Sequence, residues 1–182
     1  MEPELRVRHG LSSPGEFSRK MTIVILMGVS GAGKSTIGRL LAEELDWSFF
    51  EGDAFHPQAN IDKMSHGIPL TDADREDWLA ALENLETDLE KQRRTAVIAC
   101  SALKQAYRNR LLGARQNVRF VYLKGSYDLI LKRIEDRRDH FMSNDLLKSQ
   151  FDTLEEPSGV LVVDISQPPP AIVREIRRTL GF

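Results

Sequence analysis

The stretch Gly28-Val-Ser-Gly-Ala-Gly-Lys-Ser35 decides the fold, because it has the spacing of glycines, lysine and serine that is typical of a phosphate-binding loop. It follows a short apolar run and precedes an amphipathic stretch, which predicts a strand before the loop and a helix after it. In that setting, backbone N–H groups and the N-terminal end of the helix attract phosphate oxygens. The stretch therefore predicts a binding site for a nucleoside triphosphate.

The predicted nucleotide site uses consecutive residues of this loop. Gly31 and Gly33 let the backbone curl around the phosphates, Lys34 reaches the β- and γ-phosphates, and the hydroxyl of Ser35 binds Mg²⁺. The alternative interpretation is a glycine-rich turn that contains Lys-Ser by chance. The residues of the site are Gly28, Val29, Ser30, Gly31, Ala32, Gly33, Lys34, Ser35 and Thr36.

The rest of the chain alternates short apolar runs with amphipathic stretches, which is typical of a parallel sheet covered by helices. Strands are predicted over residues 22–27, 48–50, 96–100, 118–123 and 160–164. Helices are predicted over residues 34–45, 72–93, 103–112, 127–138, 144–154 and 170–180. Thr71 and Asp74 have the spacing of a capping box at the start of the long helix. We therefore predict an α/β fold with a mostly parallel five-stranded sheet between two helical layers.

Length and composition indicate one globular domain over residues 21–182. The chain has 182 residues, 41% of them hydrophobic, and its 25 basic and 27 acidic side chains give a net charge of -2. This balance lacks the basic excess usual in nucleic-acid-binding proteins, and no apolar run approaches the ~20 residues that span a membrane. With a single cysteine and no signal-peptide pattern, we expect a cytoplasmic protein with neither nucleic acid nor membrane as partner. Residues 1–20 are predicted to be a disordered tail or leader, with Met21 as a possible biological start.

Carboxylates and a histidine follow the second predicted strand, in Glu51-Gly52-Asp53-Ala54-Phe55-His56. Ligands of open α/β sheets bind at the carboxyl ends of strands, here beside the phosphate loop. A kinase that phosphorylates a hydroxyl needs a carboxylate to orient that proton, so Asp53 is the candidate base and Glu51 a candidate Mg²⁺ ligand. The alternative for Asp53 is a helix cap. His56 either binds a substrate hydroxyl or closes the loop.

Other classes of nucleotide-binding protein leave signals that differ from those of this chain. The Asn-Lys-x-Asp string with which a switch GTPase reads guanine does not occur. Residues 160–164 imitate the metal-binding strand of a motor ATPase, but we expect them at the edge of the sheet, away from the crevice. Asp164 is therefore predicted to have a turn or capping role.

A set of short strings carries a resemblance to one family. The most specific are Cys100-Ser-Ala-Leu-Lys104 and Gln150-Phe-Asp-Thr-Leu-Glu-Glu-Pro157. The others are the phosphate loop, Gly52-Asp53, His56-Pro57, Asn60, Lys63-Met64, Gly67-Ile-Pro-Leu-Thr-Asp72, Asp74-Arg75, Trp78-Leu79, Tyr107-Arg108 and His140-Phe141. Together they resemble the gluconate kinase family of phosphate-loop small-molecule kinases, from about Met21 to the C-terminus.

The resemblance implies a fold like that of nucleoside-monophosphate kinases, with a small helical lid near residues 132–145. It implies phosphorylation of D-gluconate at its 6-hydroxyl by ATP and Mg²⁺, usually by a homodimer, and substrate contacts from His140 and Gln150. Glu51 departs from the family pattern, because many members have Asp there. The alternatives are a kinase of another small hydroxy acid, such as shikimate, and a nucleotide-binding module without acceptor chemistry.

Basic side chains supply candidate contacts for a sugar-acid carboxylate and for the transferring phosphoryl group. Arg75, Lys104 and Arg108 lie near predicted strand ends, where a carboxylate could be bound. Each of them is alternatively a solvated surface charge. Arg133 and Arg137 share a helix face by their four-residue spacing and are the candidate catalytic arginines of the lid. The alternative for this pair is a solvated helix face with acidic neighbours.

Overall fold

The computed structural model describes residues 21–136 and 144–182. They form a five-stranded sheet in the order β2-β3-β1-β4-β5, in which all neighbouring strands are parallel. The strands are β1 (Ile23–Met27), β2 (Ser48–Glu51), β3 (Ala96–Ala99), β4 (Val118–Lys124) and β5 (Leu161–Asp164). The predicted α/β class is confirmed, and each predicted strand ends within about one residue of the observed one.

Helices cover both faces of the sheet. They are α1 (Lys34–Leu45), α2 (Gln58–Ser65), α3 (Glu76–Lys91), α4 (Gln105–Leu112), α5 (Tyr127–Glu135), α6 (Asn144–Thr153) and α7 (Pro169–Leu180). Helix α2 and a 3-10 helix over Gly52–Phe55 were not predicted. Asn60 is the buried residue of α2, so this helix lacks the apolar stripe from which the other helices were predicted.

Alternate residues of β1 face opposite helical layers. Val24 and Leu26 pack in the cluster that contains residues of α1, α5 and α7, whereas Ile23, Ile25 and Met27 pack in the cluster with α3 and α4. All five side chains are buried. Burial of one such side chain contributes about 1.5–3 kcal/mol to the stability of the fold, so β1 holds the start of the phosphate loop in a fixed position.

Two glycines allow close approaches at the carboxyl edge of the sheet. Gly28 has a φ of +143°, and a Cβ atom there would lie 2.9 Å from the carbonyl oxygen of Leu123. A Cβ atom on Gly52 would clash with the carbonyl oxygen of Ala99. Glycine at these positions therefore lets the loops after β1 and β2 lie directly against the neighbouring strand ends.

The predicted capping box between Thr71 and Asp74 is present. The N–H of Thr71 donates to Oδ2 of Asp74 at 2.9 Å, and the N–H of Asp74 donates to Oγ1 of Thr71 at 3.2 Å. The box starts a 3-10 turn over Ala73–Arg75, and the regular helix α3 begins at Glu76. The predicted helix over residues 72–93 is thus shorter, because its first turn has the tighter winding that is frequent at helix ends.

Glu86 on α3 makes stability depend on pH. Its side chain is 0% exposed, and its nearest cation, Arg115, lies 3.5 Å away. Neither carboxylate oxygen has a hydrogen-bond partner among the described residues. Burial raises the pKa of Glu86 from 4.5 to about 8, with Arg115 opposing the shift. The folded protein therefore keeps a proton that the unfolded chain releases, and stability falls as pH rises from 4.5 to about 8.

We expect Glu86→Gln to remove this dependence, because glutamine fills the same volume without ionising. The Tm of the variant relative to the wild type should increase from about pH 5 to about pH 8.5. Thermal unfolding across this range measures the difference. Glu76→Gln, at an exposed carboxylate of the same helix, is the control and should give a constant difference. A constant difference for Glu86→Gln would contradict the raised pKa.

Candidate active site

Two adjoining cavities open at the carboxyl edge of the sheet, where the loops after β1, β2 and β3 meet. The smaller, of about 150 Å³, is the phosphate pocket, and the larger, of about 350 Å³, is the acceptor cavity. Ser30, Lys34 and Asp53 line both. A group bound in the acceptor cavity therefore has direct access to a group bound in the phosphate pocket.

The phosphate pocket is formed by the predicted nucleotide-binding loop. Its lining residues are Ser30, Gly31, Gly33, Lys34, Ser35, Thr36, Glu51 and Asp53. Gly33 caps α1 in a left-handed conformation, and the first turn of α1 contains no acidic residue. The N-terminal N–H groups of this helix are thus available to an anion. Val29 and Ala32 are buried in the core and anchor the loop to it.

The donors of this pocket suit both phosphate and Mg²⁺. Nζ of Lys34 lies 3.0 Å from the carbonyl oxygens of Gly28 and Val29, so its ammonium group is held against the loop. The Ser35 hydroxyl and the Glu51 carboxylate supply the hard oxygen ligands that Mg²⁺ prefers. In kinases the metal is held by few protein ligands together with the phosphates, and this set fits that arrangement.

The acceptor cavity has a polar and an apolar part. The polar residues Asp53, His56, Arg75 and Gln150 come from the turn after β2, the start of α3 and α6. The apolar lining was not predicted as part of a site, because the sequence does not indicate which loops and helices meet here. It consists of Ile61, Met64, Ile68, Pro69, Leu70, Trp78, Leu103 and Leu146.

Asp53 lies where the two cavities meet. Its carboxylate accepts no hydrogen bond from the residues that the structure describes, and the residues at the N-cap positions of the two flanking helices are Glu51 and Pro57. The structure therefore does not give Asp53 the capping role that was its alternative. The side chain is exposed to the cavity and available to a ligand.

His56 stacks on Trp78, with ring centroids 4.6 Å apart and an angle of 10° between the planes. Trp78 is itself fixed, because its Nε1–H donates to the carbonyl oxygen of Gly52 at 2.8 Å. Burial lowers the pKa of His56 below its ordinary value of 6.5; the carboxylate of Asp53 opposes this shift, and the charge of Arg75 adds to it. The neutral form of the ring therefore predominates at pH 7, and the ring lines the acceptor cavity.

Arg75 reaches the acceptor cavity, whereas Lys104 is not among the residues that line it. Nη1 of Arg75 donates to the carbonyl oxygen of Leu70 at 2.8 Å and to the hydroxyl of Tyr107 at 3.4 Å. The hydroxyl of Tyr107 donates to Asp72, which also accepts from Nζ of Lys104 at 2.7 Å. Lys104 is thus linked to Arg75 by a chain of hydrogen bonds through Asp72 and Tyr107.

Arg108 was predicted to bind substrate, and the structure places it elsewhere. The residue is only 3% exposed. Its guanidinium donates at 2.9 Å to the backbone carbonyls of Ala102, Leu103 and Glu155. Because these carbonyls bind its two terminal nitrogens, Arg108 joins the loop after β3 to the segment after α6 and does not line the acceptor cavity.

Part of the predicted lid lies outside the described residues, and that part includes Arg137 and His140. Arg133 is described, and its Nη2 donates to the carbonyl oxygen of Ile165 at 2.6 Å, so it lines neither cavity. Gln150 accepts a hydrogen bond of 2.7 Å from the N–H of Ser30, which connects α6 to the phosphate loop.

Two further residues, Asp164 and Cys100, have structural roles outside the site. Asp164 lies at the end of the edge strand β5, and its carboxylate accepts from the N–H and the hydroxyl of Ser166, both at 2.8 Å, as expected of a turn residue. Cys100 is fully buried, and burial raises the pKa of its thiol to about 12. It is therefore an unreactive core residue.

The phosphate loop shares residues with the acceptor cavity, which a carboxylate and an arginine also line. This arrangement defines the class of small-molecule kinases with a phosphate loop. A family model described as shikimate kinase matches residues 30–180. The thermoresistant gluconokinase of Escherichia coli (strain K12) is 44% identical over 155 residues, which cover 83% of this chain and 89% of that protein. The chain belongs to the gluconokinase family.

Solved structures agree with this placement. A gluconokinase from Sinorhizobium meliloti 1021 is 44% identical, with a TM-score of 0.82, over 90% of this chain and 93% of that one. Shikimate kinase from Aquifex aeolicus vf5 is 18% identical, with a TM-score of 0.57, over 88% of this chain and 96% of that one. The second likeness shows the fold alone. Over the described ranges, no helix has the length and apolarity to span a membrane.

Proposed function

We propose that the protein transfers the γ-phosphoryl group of ATP to the 6-hydroxyl of D-gluconate, giving 6-phospho-D-gluconate and ADP. The observation that carries the proposal is the position of Asp53, which lines both the phosphate pocket and the acceptor cavity. A substrate hydroxyl there lies between a carboxylate and the phosphates. Its oxygen forms the new bond to phosphorus, the bond to the β-phosphate oxygen breaks, and the proton passes to Asp53.

The phosphate loop binds the nucleotide in this proposal. The N–H groups of the loop hold the phosphates, and Lys34 follows the charge on the γ-phosphate. Ser35 and Glu51 would hold Mg²⁺, which when bound neutralises charge on the β- and γ-phosphates. Arg133 and Arg137 remain the proposed arginines of a lid near residues 132–145; Arg133 would first have to leave its bond to Ile165.

The acceptor cavity binds the sugar acid. Arg75 pairs with the substrate carboxylate, since the hydrogen bonds to Leu70 and Tyr107 involve one of its nitrogens and leave further donors. His56 and Gln150 contact substrate hydroxyls, and His140 is proposed to join them. Lys104 acts through Asp72, and we do not include Arg108 among the substrate contacts.

The test of this function is ADP release with purified protein, ATP and Mg²⁺, measured with D-gluconate, other aldonates and shikimate as acceptors. We expect turnover with D-gluconate and a much lower kcat/KM with shikimate. Faster turnover of another hydroxy acid would replace D-gluconate as the substrate. Equal ADP release with and without any acceptor would contradict a kinase and favour a nucleotide-binding module.

The proposed enzyme is a cytoplasmic homodimer, with one domain over residues 21–182. The resemblance to gluconate kinases supports this assembly. Light scattering after size-exclusion chromatography measures the mass of the particle directly. A monomer at the concentration of the kinetic assay would contradict the dimer and leave the proposed reaction unaffected.

Arg75→Ala is expected to raise the KM for D-gluconate about 100-fold or more, because a charged hydrogen bond to the carboxylate is lost. The KM for ATP should change little, since Arg75 does not line the phosphate pocket. Steady-state kinetics with each substrate varied in turn measure both values. Arg119→Ala, at the other end of the sheet in β4, is the control and should leave both KM values unchanged. Equal rises in both KM values would place Arg75 in the nucleotide site or in the fold.

A further inference from the structure

Asn60 is the buried residue of α2, with only 4% of its surface exposed. Its Nδ2 lies 2.6 Å from the backbone carbonyl oxygen of Asp74 and 3.3 Å from Nδ1 of His56. A carbonyl oxygen can only accept a hydrogen bond, so the shorter contact identifies this atom as the amide nitrogen and not the amide oxygen. The second hydrogen of the same amide group then serves the contact with His56.

This contact determines where the proton of His56 lies. An amide nitrogen only donates, so Nδ1 of His56 must accept. A neutral imidazole has one ring proton, which therefore lies on Nε2. The groups around the ring favour its neutral form: burial and Arg75 lower the pKa of His56, and the carboxylate of Asp53 opposes them.

The orientation of the ring is fixed in two ways. Stacking on Trp78 sets the plane of the imidazole, and the bond from Asn60 decides which edge of the ring faces which way within that plane. Nε2 has no hydrogen-bond partner among the described residues, and it is not one of the buried polar atoms that lack a partner. The ring lines the acceptor cavity, so Nε2–H is the donor that remains for a ligand.

Asn60 is held in turn by the 3-10 turn that precedes α3. Its acceptor is the carbonyl of Asp74, whose carboxylate accepts from the N–H and hydroxyl of Thr71 and pairs with Lys63 at 2.6 Å. Lys63 lies on α2, one turn after Asn60. The ion pair and the amide bond therefore connect the same two elements, and together they keep Asn60 beside His56.

We propose that Asn60 is a positioning residue that holds His56 as the Nε2-protonated tautomer, so that the neutral ring donates a hydrogen bond to a hydroxyl oxygen of the acceptor. The inference rests on the proposed function and deepens it. In this arrangement Arg75 binds the carboxylate of the substrate, and Nε2–H of His56 donates a hydrogen bond to one of the substrate's hydroxyl oxygens. An acceptor that lacks an oxygen at this point leaves Nε2–H without a partner, which disfavours its binding.

The tautomer can be read without any assay of activity. In the wild-type protein labelled with ¹⁵N-histidine, we expect Nδ1 of His56 to resonate as an unprotonated nitrogen and Nε2 as a protonated one near pH 7. Addition of D-gluconate should shift the Nε2–H signal. A proton on Nδ1 in the wild-type spectrum would overturn the proposal, whether or not any variant folds.

Two variants test the positioning role. Asn60→Ala removes the donor, and Asn60→Asp replaces it by a carboxylate that can only accept and so draws a proton to Nδ1. Each should raise the KM for D-gluconate about tenfold, the scale of one lost hydrogen bond, and leave the KM for ATP unchanged. Gln58→Ala, which removes an exposed bond to Asp62 on the same helix, is the control and should change neither value.

The outcomes separate the two proposals. If the wild-type protein does not phosphorylate D-gluconate but has the expected tautomer, the substrate of the proposed function is wrong and the arrangement of His56 stands. If D-gluconate is turned over and the Asn60 variants keep the wild-type KM, or lose affinity for ATP equally, the positioning role is wrong. A spectrum of Asn60→Asp with Nδ1 still unprotonated would also contradict it.

Discussion

Lys34→Ala is expected to abolish turnover, with a fall in kcat of about 10³-fold or more and a folded protein. The Lys34 ammonium lies inside the phosphate loop, 3.0 Å from the Gly28 and Val29 carbonyls. In the proposed reaction it follows the γ-phosphate as charge moves during transfer. Alanine has high helix propensity, so the first residue of α1 tolerates it. Loss of the two bonds should cost about 2 kcal/mol, seen as a Tm lower by several degrees.

The measurement combines kcat from ADP release with thermal unfolding of the same preparation. Lys91→Ala, at an exposed lysine in the last turn of α3, is the matched control and should keep both the rate and the Tm of the wild type. A folded Lys34→Ala protein that retains most of the wild-type kcat would overturn the assignment of the phosphate loop.

The strands and the phosphate loop were predictable because their signals are local. The inner strands β1, β3 and β4 are short, mostly buried apolar runs, and the loop needs glycines at fixed spacing whatever the rest of the chain does. The helix α2 was not predictable in this way. It packs through the polar side chain of Asn60, and a buried amide has no periodic signal in a sequence.

For the three basic residues predicted to bind the substrate carboxylate, position along the chain does not indicate which one reaches the cavity. Arg75, Lys104 and Arg108 all lie near strand ends, as predicted, but they differ in what their donors meet. Arg75 keeps access to the acceptor cavity, Lys104 is paired with Asp72, and Arg108 donates to buried backbone carbonyls. Which of these occurs depends on loops that are distant in the sequence, so residue positions alone do not distinguish the three side chains.

The contacts of Gln150 and Arg133 illustrate the same limit. Gln150 meets the N–H of Ser30, 120 positions away in the chain, and Arg133 meets the carbonyl of Ile165, 32 positions away. A helical period indicates which residues share a face, but it does not indicate which loop that face meets. Only the packing of α5 and α6 against the sheet decides this.

Asp53→Asn should lower kcat about 100-fold or more, the usual scale for a lost general base, while Mg·ATP affinity and Tm stay close to those of the wild type. The isostere keeps the shape of the side chain and still accepts through its amide oxygen. The Asp53 carboxylate has no hydrogen bond within the described part of the chain, so little folding energy depends on its charge. A loose transition state needs little base assistance early in the reaction, but the hydroxyl must still be aimed in line with the phosphate.

Three quantities measured on one preparation distinguish the possible roles of Asp53: kcat, Tm and the Kd for Mg·ATP. A lower Tm with kcat unchanged would assign the side chain to the fold. A selective loss of Mg·ATP affinity would make Asp53 a metal ligand, since it shares the phosphate pocket with Ser35 and Glu51. Glu43→Gln, at an exposed carboxylate on the far part of α1, is the control and should alter none of the three. Only a loss confined to kcat agrees with a carboxylate that orients the acceptor hydroxyl and takes its proton.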